Sequence, residues 1–159
     1  MQTNVSHSTI ARELFMQGCN CSQAVFAAFS DLTGLERDFA LRISSSFGGG
    51  MGRLREVCGA FSGILMVAGC LYGYSDVSQP SLKNQHYRLV QELAAKFKDR
   101  TGSLICREHL GLAGASTPDS PVRTAEFYKT RPCAGLIETA AQIMDEYISE
   151  HPYDRQAKI

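Results

Sequence analysis

Six cysteines are spread along the 159-residue chain, and four of them stand where helices are predicted to begin. Cys21 follows Asn20, which together with Gln23 three residues on forms a capping-box pattern. Cys58 falls in the opening turn of an apolar segment, directly behind the glycine run FGGGMG. Cys106 comes three residues after Ser103, a capping residue type, and Cys133 comes directly after Pro132, a residue suited to a first helical turn. The unpaired N–H groups and positive dipole of a first turn favour an anion, which lowers a thiol's pKa. Thiolate is the form that attacks disulfides and binds metals.

The four lie tens of residues apart, a spacing that no zinc ribbon or finger has. Any site they share must be assembled by tertiary folding, with helix N-termini converging on one point. Buried cysteine also serves as a small apolar filler. Filling a core, however, gives no reason to favour first turns. Cys70 lies in the body of the apolar segment and reads as such a filler. Cys19 makes a C-x-C pair with Cys21, two thiols that could share a metal or offer a spare nucleophile.

The elements that must position these residues are helical by pattern. STIARELFMQG places Ile10, Leu14 and Phe15 on one face and stops at Gly18. NCSQAVFAAFSDLTG carries Val25, Phe26, Phe29 and Leu32, and GLERDFALRISSSF shows Leu35, Phe39, Ile43 and Phe47 at helical spacing. A helix from about Val57 to Leu71 should be buried nearly all round. In SLKNQHYRLVQELAAKFKDRTG, a stripe of Leu82, His86, Leu89, Val90, Leu93 and Phe97 faces away from the Lys and Arg residues. A short helix in SLICREHLG follows, then a Pro-containing loop from about Leu112 to Tyr128, then a last helix in TRPCAGLIETAAQIMDEYI. The expectation is an all-α, single-domain bundle over residues 1–159, with about seven helices and a buried central one.

Gly48, Gly49, Gly50 and Gly52 allow positive φ and close approach to a ligand, while Gly59 and Gly63, four apart, strip one face of the central helix. Gly49, Gly50 and Gly59 are therefore candidates for cofactor contact. A plain flexible connection is the competing reading of FGGGMG. Nucleotide binding fits less well, because GGGMGRLRE lacks the Lys-Ser/Thr ending of a phosphate loop and no strand precedes it. His109, three residues after Cys106, is a possible ligand or proton donor, with a surface or capping role as the default. His86 reads as a core-edge residue. Arg53, Arg55 and Arg107 lie near the cysteine motifs and could stabilise negative charge, with solvent exposure as the default for each.

Lys+Arg and Asp+Glu balance at 16 each, and the pI is near 6.9, so there is no electrostatic footprint for nucleic acid or an anionic membrane. The N-terminal MQTNVSHSTIAREL lacks the basic start and apolar run of a signal peptide, and the stretch Val57 to Tyr72 is too short and too rich in Gly and Ser for a membrane span. A cytoplasmic protein is expected. A reducing cytosol does not keep structural disulfides, which leaves metal, cluster or redox chemistry to account for six cysteines.

Four separated segments, GCNCSQAV, FGGGMGRLREVCGAFSG, GSLICREHLG and CAGLIETAAQIM, agree in order and flanks with a known pattern. From about Ser8 to Ile148 the chain resembles the redox-active proteins named C_GCAxxG_C_C, small bacterial and archaeal proteins with four shared cysteines. A similar helical domain in split-Soret cytochromes is associated with an iron–sulfur centre. The resemblance thus implies that Cys21, Cys58, Cys106 and Cys133 would hold a [2Fe-2S] cluster or another thiolate-bound metal. Family members often carry an aromatic residue where this chain has Cys19, which opens the question of a fifth thiol at the site, and Cys70 lies outside the shared set.

Two chemistries stay open: an iron–sulfur electron carrier, or a dithiol/disulfide system catalysing thiol–disulfide exchange. Either implies a redox partner protein or a small thiol or electron donor, with no nucleic acid and no membrane insertion; an oligomer is compatible with both. The alternative is a helical interaction module with incidental cysteines.

Overall fold

The computed structural model describes residues 5–154, so the ends of the expected 1–159 domain lie outside the described residues. The chain is all-α: its only β-type pairing among the described residues is an isolated antiparallel bridge between Val57 and Ile105. The helices are α1 (His7–Met16), α2 (Cys21–Ala28), α3 (Ser30–Thr33), α4 (Arg37–Ser44), α5 (Gly59–Tyr72), α6 (Pro80–Thr101), α7 (Cys106–Leu110), α8 (Ala125–Thr130) and α9 (Cys133–Glu150). None is long and apolar enough to cross a membrane.

Two features raise the number of helices above the expected seven. The segment predicted as one helix from Asn20 breaks at Phe29 (φ −96°, ψ 18°), whose fully buried ring stacks under His7 with centroids 4.1 Å apart. In the expected loop, Thr124 caps a short helix by accepting a hydrogen bond from the Phe127 N–H, so residues 125–130 are helical.

The helix α5 is the centre of the molecule: Gly59 to Ile64, Val67 and Ala68 are buried, and the helix packs on α2, α6 and α9. Its last turn emerges, which exposes Cys70 and corrects the expectation that this residue fills the core. The stripe on α6 is as predicted, with Leu89, Leu93 and Phe97 buried and His86 at the edge. On α4 the predicted stripe points outward instead: Phe39 and Ile43 are 50% and 48% exposed. Ala40 and Ser44 are buried where α4 packs on α2, and the Ser44 hydroxyl donates to the Ala40 carbonyl at 2.6 Å. Small side chains allow that approach where Phe and Ile would hold the helices apart.

Candidate thiol site

The capping box predicted for α2 is formed in both directions, Gln23 N–H to Asn20 Oδ1 at 2.9 Å and Asn20 N–H to Gln23 Oε1 at 3.0 Å. It makes Cys21 the first helical residue. Cys106 and Cys133 likewise open α7 and α9, while Cys58 is the N-cap of α5. The cap of α7 differs from the expectation: Ile105 is the N-cap residue, and the Ser103 hydroxyl accepts from the Ile105 N–H at 2.9 Å and bonds the Glu108 carboxylate.

Glycine lets these starts meet. A Cβ on Gly59 would lie 3.1 Å from the Cys21 Cβ, and one on Gly63 would lie 2.7 Å from the Val25 Cβ, so the stripped face of α5 receives α2 one turn at a time. A Cβ on Gly50 would come within 2.6 Å of the Cys106 Cβ. Two bonds flanking the Val57–Ile105 bridge, Cys58 N–H to Leu104 O at 2.8 Å and Cys106 N–H to Glu56 O at 2.6 Å, hold Cys58 and Cys106 in register.

The glycine run forms a left-handed turn. Gly49, Gly50, Met51, Gly52 and Arg53 have φ of 67°, 65°, 66°, 60° and 69°, and Arg55 follows at 62°. Gly48, at φ −66°, does not share the positive φ expected of it. The conformation costs roughly 1–2 kcal/mol at each residue with a Cβ, and the turn is held by Glu56 N–H to Gly50 O at 3.0 Å and Ser116 N–H to Arg53 O at 2.9 Å. It directs Arg55 inward to 3% exposure, against the default of solvent exposure. Arg55 Nε donates to the Ser116 hydroxyl at 2.9 Å and Nη1 to Cys106 Sγ at 3.6 Å.

Cys21, Cys58, Cys106 and Cys133 all line one inner cavity of about 30 Å³, together with Gly49, Gly50, Gly59, Arg55 and His109. Its outer wall is shared: Cys21, Cys133, Gly49 and Arg55 also line an open pocket of about 370 Å³ bounded by Arg53, Arg123 and Arg131. Cys19 lines neither and packs against the core. His109 Nε2 donates to the Ser103 carbonyl at 2.8 Å, and Arg107 pairs with Glu56 at 3.0 Å. Arg123 and Arg131 escape a sequence reading, since they sit either side of a helix hidden in a Pro-containing stretch; the one signal was an arginine two residues before Cys133.

The thiols differ in acidity. A hydrogen bond from the Cys21 thiol, aided by Arg131, Arg55 and Arg123 and opposed by burial, lowers Cys133 to about 7. That bond and burial push Cys21 well up. Burial raises Cys58 to about 11, although the N–H groups of Phe61 and Ala60 act in the opposite direction. Burial also raises Cys19. Among the helix-start thiols that shift, Cys21 and Cys58 are raised and Cys133 alone is lowered.

Four cysteines are the donor set of a [2Fe-2S] cluster. The space between them as placed here suits a water molecule and not four further atoms of iron and sulfide, and among the described residues no three His, Cys, Asp or Glu side chains are grouped to hold a metal ion. The fit is one of donor type and not of space.

A family model described as "Putative redox-active protein (C_GCAxxG_C_C)" matches residues 19–147. No curated protein and no solved structure matches the chain.

Proposed function

The chain belongs to the C_GCAxxG_C_C family of redox-active proteins, and we propose that it is a dithiol redox protein in which Cys133 is the attacking thiolate and Cys21 the resolving thiol. The observation that supports this reading is that Cys21 and Cys133, alone of the six cysteines, line both the inner cavity and the open, guanidinium-lined pocket. The lowered pKa of Cys133 raises its thiolate fraction near neutral pH. An attacking thiol with a pKa near ambient pH combines thiolate fraction with nucleophilicity.

Cys133 attacks one sulfur of a substrate disulfide; that S–S bond breaks, the first substrate thiolate leaves, and a mixed disulfide forms on Cys133. Cys21 then gives its proton to the departing thiolate and attacks the Cys133 sulfur, expelling the second thiolate. Two protein thiols are oxidised to one disulfide, and one substrate disulfide is reduced to two thiols. An external dithiol or thiol pool restores the pair, a cycle suited to the cytoplasm. Cys58, held as a neutral thiol by burial, and Cys106, bonded to Arg55, wall the inner cavity behind the pair.

A second reading, a four-thiolate iron–sulfur carrier, is favoured by the fact that all four cysteines reach the same cavity. One experiment separates the two: anaerobically purified protein is assayed for iron and sulfide, then treated with a small disulfide and mapped by peptide mass spectrometry. The dithiol reading expects a Cys21–Cys133 disulfide and no bound iron. Stoichiometric iron and sulfide, lost equally in Ser variants of all four cysteines, would replace it with the carrier.

A further inference from the structure

We infer that the arginine-lined pocket outside Cys21 and Cys133 binds a small disulfide carrying a carboxylate at each end; the inference rests on the dithiol reading for its chemistry and on the pocket's charge for its substrate class. At about 370 Å³ the pocket is in the size range of small-ligand sites. Four guanidinium groups line it, Arg53 and Arg55 from the left-handed turn and Arg123 and Arg131 from either side of α8, and no acidic side chain does. None of the four makes an ion pair with a carboxylate among the described residues. Arg55 is buried without a carboxylate partner, its side-chain contacts being the Ser116 hydroxyl and the Cys106 sulfur, and a buried charge is costly unless it is paired.

The four are held in place without being used up. Arg53 Nε donates to the Thr117 carbonyl at 2.6 Å, Arg55 Nε to Ser116, and Arg123 Nη1 to the Phe15 carbonyl at 2.7 Å. Arg123 and Arg131 lie over the Phe127 ring at 5.6 and 4.7 Å. A guanidinium has five N–H donors, so each keeps donors for a carboxylate, which it can grip in bidentate fashion. Like charge from Arg55 and Arg131, after burial, lowers the Arg53 pKa, with Asp119 opposing from outside the lining; an incoming anion relieves that repulsion. Guanidinium groups reach the pocket from two separate segments, and Phe15, Phe127 and the reactive pair share its lining. Two anionic ends flanking an uncharged S–S centre match this arrangement. A cation or a metal ion is repelled.

The test uses three alkyl disulfides of graded charge with full-length protein: dithiodiglycolate (dianion), hydroxyethyl disulfide (neutral) and cystamine (dication). The expected rates fall in that order, and the dianion's advantage shrinks as salt rises. Arg131→Gln and Arg53→Gln should each lower the dianion-to-neutral rate ratio by about tenfold, the loss expected of one charge-assisted grip. That ratio cancels any change in thiol acidity. Adipate, which replaces S–S by two methylenes, should bind by NMR titration and lose that binding in both variants. Equal rates for the three disulfides with no adipate binding overturn the inference and leave the dithiol reading standing. Adipate binding without reaction of any disulfide overturns the dithiol reading and keeps the pocket as a dicarboxylate site. Variants with wild-type circular dichroism but unchanged ratios also overturn it.

Discussion

Cys21 and Cys133, the first residues of two helices far apart in sequence, both line the wall between the inner cavity and the open pocket, where the acidity of each depends on the other. The coupling divides their behaviour. Cys133 is lowered toward neutrality, and Cys21 is raised.

Iodoacetamide labelling against pH, read residue by residue, should show Cys133 reacting first with a midpoint near its pKa of about 7. Cys58, raised to about 11 and buried, should stay unlabelled across that range. A common midpoint for both would remove the asymmetry on which the exchange depends.

Cys21→Ala removes the donor, so the Cys133 midpoint should climb toward the ~8.5 of an ordinary thiol. The same variant should accumulate a mixed disulfide on Cys133, because nothing resolves it. Cys19→Ser should change neither property, since Cys19 lines neither cavity.

Gly63→Ala places a Cβ 2.7 Å from the Val25 Cβ and should destabilise by roughly 1–3 kcal/mol, outweighing the better helix propensity of Ala. Gly50→Ala adds left-handed strain to a 2.6 Å clash with the Cys106 Cβ and should cost on the order of 3 kcal/mol. Gly69→Ala, on the same helix as Gly63, meets nothing within 4 Å and should stabilise by up to about 1 kcal/mol. Urea unfolding of the three variants checks the order.

His7 lies between Asp145 (Nδ1 to Oδ1, 2.5 Å) and Asp31 (Nε2 to Oδ1, 3.1 Å). Burial lowers its pKa, but the bond and charge of Asp145 and then of Asp31 outweigh it, and the net shift is upward from 6.5. A raised pKa in the folded state means that stabilisation is fully present below 6.5 and is lost as pH rises through the folded value. The Tm gap between wild type and His7→Gln should therefore narrow on going from mildly acidic to alkaline buffer. A gap that widens would refute the assignment.

Helix starts were legible because they are written locally. Asn20 and Gln23, Pro132, and the periodicity around Leu89 and Leu93 each need only a few neighbours to be read. The cavity was not, because it depends on which helix start faces which. Gly59 and Gly63 advertised a close approach without naming α2 as the partner. Phe39 and Ile43 kept a helical period and yet face outward, since Ala40 and Ser44 offered α2 a closer seat. The acidity of Cys133 was the least readable, for it comes from Cys21 and from arginines delivered by a left-handed turn and a hidden short helix.

Cys21 and Cys133 stand toward opposite ends of the chain, and joining them would close most of it into one covalent ring. A closed loop of about 100 residues takes on the order of 4–5 kcal/mol of freedom from the unfolded chain. Oxidation would then act as a lasso drawn around the whole bundle, slowing melting and digestion by proteases, so that the protein's endurance in its surroundings would record the last electron pair it passed on.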